Sequence, residues 1–224
     1  MTAHSIEKLN DCNQLTIVPL YPQYSSAATG SAIEQTLKII AKQEIIPSIK
    51  IISNFYQHPA YIQTQVELIK MHLNPKHHLL FSYHGIPERQ ILKGGCSALC
   101  IEDCSLKKNP NCYKAQCYRT SQLIAQGLNL SSQQYSTSFQ SRLGKTPWIK
   151  PYTDELLVSL VAQGIKNLAI TCPSFVTDCL ETLEEIGIRA QKQWSQLGGE
   201  QFVLIPSMNS NPLWINALKN IAQQ

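Results

Sequence analysis

The sequence predicts an α/β protein made of two Rossmann-like units, each with a parallel sheet flanked by helices. Short apolar runs alternate with longer amphipathic segments along the 224 residues, and this order is typical of parallel strands joined by crossover helices. Hydrophobic residues make up 43% and charged residues 15% of the chain, which fits a folded protein rather than a disordered one.

Each predicted element follows from its local pattern. Apolar runs bounded by turn residues predict strands, and apolar residues three or four positions apart predict helices. In the first helix, for example, Ile33, Leu37 and Ile40 share one face. The Cys-rich stretch before the third helix contains Gly94-Gly95 and Asn109-Pro110, and is predicted to be irregular. The predicted strands are 15–20, 49–52, 78–82, 133–139, 167–171 and 202–205, and the predicted helices are 30–44, 59–73, 111–127, 152–163, 179–197 and 212–223.

Charge and hydropathy exclude some classes of function. The net charge is +4, but no run of five or more Lys or Arg indicates nucleic-acid binding. The first fifteen residues are polar and do not resemble a signal peptide. No apolar stretch reaches the roughly 18–20 residues of a membrane helix, so we expect a cytoplasmic protein. The eight cysteines are then more often metal ligands or free thiols than disulfides.

One histidine and a group of acids are the candidates for chemistry. His84 follows the third strand, where open parallel sheets place their ligands, and a neutral imidazole is a suitable proton acceptor. Asp178, Glu181 and Glu185 follow the fifth strand at spacing i, i+3, i+7, which places them on one face of a predicted helix. The same spacing also fits a capping box and acids that favour a helix N-terminus, so a structural role stays open.

Five cysteines lie close together in the irregular stretch. Their spacing is C-x3-C-x3-C-x7-C-x4-C, and four thiolates can bind zinc or an iron–sulfur cluster. Structural zinc sites usually contain C-x2-C pairs, which are absent here. Free thiols are the alternative. The five residues are Cys96, Cys100, Cys104, Cys112 and Cys117.

Four motifs in order resemble the ferrochelatases, which insert ferrous iron into protoporphyrin IX to form protohaem. The resemblance covers nearly all of residues 15–215. The motifs are VPLYPQYSSAATGSA (18–32), SYHGIP (82–87), FQSRLGKTPWIKPYTDE (139–155) and CPSFVTDCLETLEEI (172–186).

The resemblance implies a role for each candidate. His84 and Glu181 would form a catalytic pair that binds iron or moves pyrrole protons, with Asp178 and Glu185 extending the acidic path for the metal. Cys179 stands where some relatives have histidine. The porphyrin-binding residues would be Tyr24, Ser25, Ser26, Thr29, Trp148 and Phe175.

The cysteines resemble those of bacterial members with an internal two-iron, two-sulfur (2Fe-2S) cluster. NCYKAQC (111–117) is similar to part of that group. The implied ligands are Cys112, Cys117 and two further cysteines. We expect these two to be Cys96 and Cys104, and Cys100 is the alternative.

The resemblance also implies a domain division. Residues 1–75 would be the remainder of an N-terminal unit that is incomplete, because the family's opening segment has no match here. Residues 76–210 would form the second unit with a Cys-rich insertion at 94–117, and residues 211–224 a helix packing back toward the first unit. Such a chain could be active, or a remnant that only binds porphyrin, haem or an iron–sulfur cluster.

Other partners follow from the chemistry of the product. An apolar product is compatible with peripheral membrane contact at the mouth of the cleft, although no basic amphipathic helix indicates it. A cobalt chelatase is a weaker alternative, since the partner opposite His84 is a glutamate rather than a second histidine. The sequence does not determine the oligomeric state.

Overall fold

The computed structural model describes residues 12–97, 99 and 109–224, and contains two parallel sheets. The first has two strands, with Leu15 opposite Ile49. A π-helical turn and a helix cross between them, as expected for parallel neighbours. These elements are β1 (Gln14–Ile17), π1 (Ser26–Gly30), α1 (Ser31–Ile40) and β2 (Ser48–Ile51).

The second sheet has four parallel strands in the order β4-β3-β5-β6. Its strand β3, which pairs on both sides, is buried along almost its whole length, and this fits the consecutive apolar residues Leu79, Leu80 and Phe81. The strands are β3 (His78–His84), β4 (Tyr135–Gln140), β5 (Asn167–Thr171) and β6 (Gln201–Leu204).

Helices cover both faces of this second sheet. The helices of the chain after β2 are α2 (Pro59–Lys70), α3 (Glu88–Lys93), α4 (Tyr113–Gly127), α5 (Thr153–Ala162), the π-helix π2 (Glu181–Ala190), α6 (Gln191–Gln196) and α7 (Pro212–Gln223). Alternate residues of β3 enter two cores, since successive side chains of a strand point to opposite faces. Leu79 and Phe81 pack with α2, α4 and α7, whereas Leu80 packs with α5, π2 and α6.

The predicted α/β class is confirmed. Residues 88–93 form α3, where the sequence predicted no helix. The predicted helix 179–197 is observed over residues 181–196, but it is π-helical over Glu181–Ala190 and α-helical only over Gln191–Gln196.

The C-terminal helix α7 packs against α2. The ring of Trp214 lies 5.8 Å from that of Phe55 and 6.3 Å from that of Tyr61. The residue boundaries of the two units stay a prediction. In the part of the chain that the structure describes, no helix is long and apolar enough to span a bilayer.

Candidate active site

His84 is the last residue of β3 and lies at the carboxyl edge of the second sheet. It stands opposite Gln140 of β4, and its backbone N–H donates to Ser174 Oγ, just after β5, over 2.9 Å. Three strand ends therefore meet at His84, in the position where open parallel sheets bind ligands.

The His84 side chain lines a cavity of about 900 Å³. Ligand pockets typically enclose roughly 300–1,000 Å³, so the cavity has room for an organic ligand. One wall is the segment after β1 with α1, and the other is the edge of the second sheet. The described residues lining it include no Asp or Glu. Among them are Ser25, His84, Trp148, Phe175 and Cys179.

Hydrogen bonding fixes which ring nitrogen of His84 is available. Nδ1 lies 2.6 Å from the carbonyl oxygen of Gly85, and a carbonyl can only accept, so Nδ1–H is the donor. Nε2 then carries the lone pair. The ring also lies 6.2 Å from the ring of Trp148 and 6.0 Å from that of Phe175. The arrangement holds an imidazole whose Nε2 has no assigned partner beside two aromatic side chains.

Glu181 begins π2 and is hydrogen-bonded to Cys179, which lines the cavity. Its pKa is below the ordinary value because the Cys179 thiol donates to the carboxylate; its own backbone N–H and the nearby His84 imidazole act in the same direction, and partial burial opposes them. Burial and Glu181 in turn raise the pKa of Cys179, so the thiol keeps its proton. Glu181 is thus ionised and electrostatically coupled to His84.

Asp178 does not continue an acidic line on the same helix, because it precedes π2 and is bound elsewhere. Its Oδ1 accepts from the Ser207 N–H and the Thr182 hydroxyl, and its Oδ2 accepts from Asn209. Partial burial alone would raise the pKa of Asp178, but the hydrogen bonds from Asn209, Ser207 and Thr182 outweigh it and lower the pKa. These contacts tie the start of π2 to the loop after β6.

Glu185 is also engaged by protein groups. It accepts from the Ser141 N–H at 2.7 Å, from the Ser141 hydroxyl at 2.6 Å and from the Gln140 amide at 3.2 Å. The three acids therefore do not meet at one point. Among residues 12–97, 99 and 109–224, no group of three or more His, Cys, Asp or Glu is arranged to hold a metal ion.

The predicted porphyrin-binding residues fall into three groups. Ser25, Trp148 and Phe175 line the cavity with His84. Tyr24 and Ser26 line an adjoining cavity of about 580 Å³, whose wall also includes Ser25. Thr29 is fully buried, and its hydroxyl accepts from the Ser25 N–H.

Sequence reasoning missed residues that position the site. Tyr113 donates to the His84 carbonyl oxygen at 2.7 Å, and Ser174 accepts from the His84 N–H. At Gly85, an added Cβ would lie 2.9 Å from the Gln140 carbonyl oxygen and 3.2 Å from the Trp148 ring, so the glycine allows this close approach. A glycine directly after a candidate catalytic residue was the available signal.

The cysteines that the structure describes do not form a complete cluster site. Cys117 is fully buried in the core, where burial raises the pKa of its thiol, and its place in the ligand set stays a prediction. Cys112 is buried beside the second cavity, and Cys96 Sγ accepts from the Asn109 amide at 3.2 Å. Cys100 and Cys104 lie outside the described residues.

Sequence comparison matches the whole chain to one family. The ferrochelatase family model covers residues 1–224. The chain is 61% identical to the ferrochelatase of Legionella pneumophila (strain Philadelphia 1) over 98% of its own length and 67% of the relative's. It is 48% identical to the ferrochelatase of Coxiella burnetii (strain RSA 493), with 98% and 64% coverage. The chain thus spans about two thirds of the length of these relatives.

A solved structure supports the fold. SirB from Bacillus subtilis with Fe3+ is 15% identical, with a TM-score of 0.61, and covers 99% of this chain and 77% of that one. At this identity the likeness concerns the fold alone: parallel sheets flanked by helices.

Proposed function

This chain belongs to the ferrochelatase family, and on that premise we propose that it is a lyase that inserts ferrous iron into protoporphyrin IX in haem biosynthesis. The observation that carries the proposal is the placement of His84. Its Nε2 lone pair is available on the wall of a ligand-sized cavity, between Trp148 and Phe175.

His84 is proposed to accept a proton from a pyrrole nitrogen. Insertion of Fe²⁺ forms four Fe–N bonds and releases the two pyrrole protons, so a base beside the ring favours the reaction. The Nδ1–H bond to the Gly85 carbonyl keeps the ring in the tautomer with a free Nε2, and it stabilises the imidazolium that forms on protonation.

Glu181 is proposed to stabilise the protonated His84 and to attract the incoming iron. An ionised carboxylate coupled to His84 favours the imidazolium and attracts the incoming cation. Glu181 is not among the described residues that line the cavity, whereas its hydrogen-bond partner Cys179 is, so iron or a proton would pass beside the Cys179 thiol to reach it.

Asp178 and Glu185 are proposed to orient π2 rather than to bind the metal. Each carboxylate is occupied by three hydrogen bonds from protein groups. Binding iron would require these bonds to break, so the two acids better explain the orientation of π2, on which Glu181 lies.

The aromatic side chains are proposed to hold the macrocycle. Trp148 Nε1 donates to the Leu143 carbonyl oxygen, which fixes the indole while its ring faces His84. Flat ligands gain both apolar burial and ring contacts from such walls.

Anaerobic iron insertion into protoporphyrin IX tests the proposal. We expect the chain to form protohaem and His84→Ala to lower the rate at least about a hundredfold, with porphyrin affinity retained. His72→Ala, which changes an exposed histidine outside the cavity, should behave as the unchanged protein.

Two outcomes would contradict the enzyme proposal. A chain that binds porphyrin but never metallates it would favour the alternative of a binding remnant. An undiminished rate in His84→Ala would remove the base from its assigned role.

The 2Fe-2S cluster remains a proposal about the insertion at 94–117. Cys112 and Cys117, with two of Cys96, Cys104 and Cys100, would supply four thiolates, the usual complement of such a cluster. Anaerobically purified protein should then show visible absorption that Cys112→Ser and Cys117→Ser each abolish. Absorption retained in Cys117→Ser would remove Cys117 from the ligand set.

The cytoplasmic location and contact with a membrane surface stay predictions. Both depend on the sequence arguments and on the apolar character of the product. Fractionation of cells expressing the whole chain, with porphyrin present and absent, would test both.

A further inference from the structure

One buried face of α4 carries three polar residues, although the buried face of a helix is usually apolar. Tyr113, Gln116 and Thr120 follow the spacing i, i+3, i+7 of one helical face, and we call them the α4 polar row. Tyr113 is 7% exposed and the other two are fully buried. A buried polar group lowers stability unless it is hydrogen-bonded, so the partners of the α4 polar row indicate its purpose.

Two members of the row hold the segment after β1. Gln116 Oε1 accepts from the Tyr24 backbone N–H at 2.7 Å, and the Thr120 hydroxyl oxygen accepts from the Gln23 amide at 3.0 Å. Gln23 is itself buried, and it lines the first cavity together with Ser25. These bonds fix one wall of the cavity against α4.

The third member of the row holds the opposite wall. The Tyr113 hydroxyl donates to the His84 carbonyl oxygen at 2.7 Å. Tyr113 and Gln116 lie one helical turn apart, so the first turn of α4 connects the backbone of His84 to the backbone of Tyr24. The spacing of the two cavity walls therefore depends on this turn.

The side chain of Gln116 is bonded at both ends of its amide. Its Nε2 donates to the Pro110 carbonyl oxygen at 2.9 Å, while its Oε1 accepts from Tyr24. A backbone N–H can only donate and a carbonyl oxygen can only accept, so the orientation of the amide is determined. A fully bonded buried amide is rigid and specifies one arrangement of its neighbours.

We propose that Gln116 is a positioning residue that holds the segment Gln23–Ser25 at the distance from His84 that a bound porphyrin requires. This inference rests on the proposed function, because it takes the porphyrin to occupy the first cavity. Gln116 is not among the described residues that line either cavity. It acts through the segment that it holds rather than by touching the ligand.

Fluorescence titration with metal-free mesoporphyrin IX and amide hydrogen exchange together test the proposal. Gln116→Met keeps the approximate size of the side chain but leaves the Tyr24 N–H without its acceptor. We expect porphyrin affinity to fall roughly tenfold and the Tyr24 amide to exchange faster.

Gln116→Glu is the conservative variant. Burial favours the neutral carboxyl group, which offers an acceptor to Tyr24 and a donor to Pro110. It should therefore bind mesoporphyrin IX nearly as well as the unchanged protein and keep the Tyr24 amide protected. A loss of affinity as large as that in Gln116→Met would contradict the assigned role.

Ser121→Ala is the matched control on the same helix. The Ser121 hydroxyl is fully buried and bonds the side chains of Tyr83 and Thr137, which are not among the described cavity-lining residues. The variant should lower stability while leaving porphyrin affinity and exchange at Tyr24 unchanged. Equal losses of affinity in Ser121→Ala and Gln116→Met, or unchanged affinity in folded Gln116→Met, would overturn the proposal.

Thr120→Val is a second variant, and it carries the test if Gln116→Met does not fold. It keeps the shape of the side chain and removes the acceptor of the Gln23 amide. We expect porphyrin affinity to fall by a smaller factor than in Gln116→Met. Affinity equal to that of the unchanged protein would count against the α4 polar row.

The titration and the exchange measurement require no iron, which separates this inference from the proposed function. In active protein, Gln116→Met should raise the KM for porphyrin more than it lowers kcat, because His84 keeps its own hydrogen bonds. Selective loss of porphyrin binding in Gln116→Met, in a protein that never metallates, would support the positioning role and contradict iron insertion. Active enzyme with unchanged porphyrin binding in Gln116→Met would do the opposite.

Discussion

Backbone and ring contacts hold the imidazole of His84 in place. Ser174 accepts from its N–H, Tyr113 donates to its carbonyl oxygen, and Gly85 accepts from Nδ1. The three partners come from different parts of the chain, so the orientation of one base depends on the packing of β3, β5 and α4. Residues that touch no substrate therefore control where Nε2 points.

Gly85→Ala tests the close approach beside His84. The new Cβ would meet the Gln140 backbone and the Trp148 ring, so we expect a loss of about 1–3 kcal/mol in the free energy of unfolding and a lower rate of metallation. Denaturant unfolding measures the first effect. Gly30→Ala is the control, because the nearest atom there is the side-chain oxygen of Tyr24 at 3.3 Å; similar losses in both variants would argue against a special constraint at Gly85.

The Asp178 carboxylate predicts a pH dependence of stability. Its pKa is lowered in the folded state, so its contribution is present above about pH 4 and is lost as the pH falls through the folded pKa. Asp178→Asn should lower the free energy of unfolding by about 1–2 kcal/mol at pH 7. We expect the lower end of this range because the carboxylate is partly exposed. The difference from the unchanged protein should shrink in urea unfolding at pH 3.

Asp154→Asn is the control for this pH effect. Its carboxylate pairs with Arg142 at an exposed site, where ion pairs contribute about 0–1 kcal/mol. A pH-independent difference between Asp178→Asn and the unchanged protein would contradict the assignment.

At the scale of elements, hydrogen bonds join π2, which carries Glu181, to the end of β4. Glu185 bonds Ser141, whose φ of 65° is left-handed for a non-glycine residue, and Gln140 also donates to the Glu181 carbonyl oxygen. Gly187 lies close to Leu204 of β6. These tertiary contacts account for a π-helix, a form that is rare over such a length and recurs at functional sites.

Glu185→Ala tests this connection. It leaves the Ser141 and Gln140 donors without their acceptor, so we expect a loss of about 2–3 kcal/mol in the free energy of unfolding. Glu184→Ala removes the neighbouring acid, which pairs with exposed Arg189, and should lower the free energy of unfolding by under about 1 kcal/mol. Equal costs measured by chemical denaturation would show that Glu185 is not the anchor of π2.

At the scale of the molecule, α7 joins the C-terminal end of the chain to α2. Trp214 is almost completely buried against Phe55 and Tyr61. Tyr61 in turn donates to the Pro173 carbonyl oxygen at 2.6 Å, one residue before Ser174. The packing of α7 thus extends to the segment that holds His84.

Trp214→Ala should lower the free energy of unfolding by about 3–5 kcal/mol, since it creates a large cavity in the core. Ile215→Ala, at a residue that is 55% exposed, should cost about 0.5 kcal/mol or less. Thermal and denaturant unfolding of both variants measure the difference, and comparable values would contradict the proposed anchoring role of α7.

Local patterns determined much of the architecture. Periodicity predicted every strand near its observed position, because buried strands and amphipathic helices leave distinct spacings of apolar residues. The motif SYHGIP and the position after a strand identified His84. The short helix α3 was missed, since six residues between Pro87 and Gly94 give too little periodic signal.

The sequence by itself determined the α/β class, the family and the choice of His84 as the candidate base, because each depends on residues that are neighbours in the chain. Only the tertiary structure decided which groups the acids contact. Asp178 and Glu185 share a face only if their helix is α-helical, whereas partners from β4 and the loop after β6 hold them apart. Hydrogen bonds between distant segments leave no periodic pattern in the sequence. Here they engage the carboxylates of Asp178 and Glu185, whereas Glu181 is the acid coupled to His84.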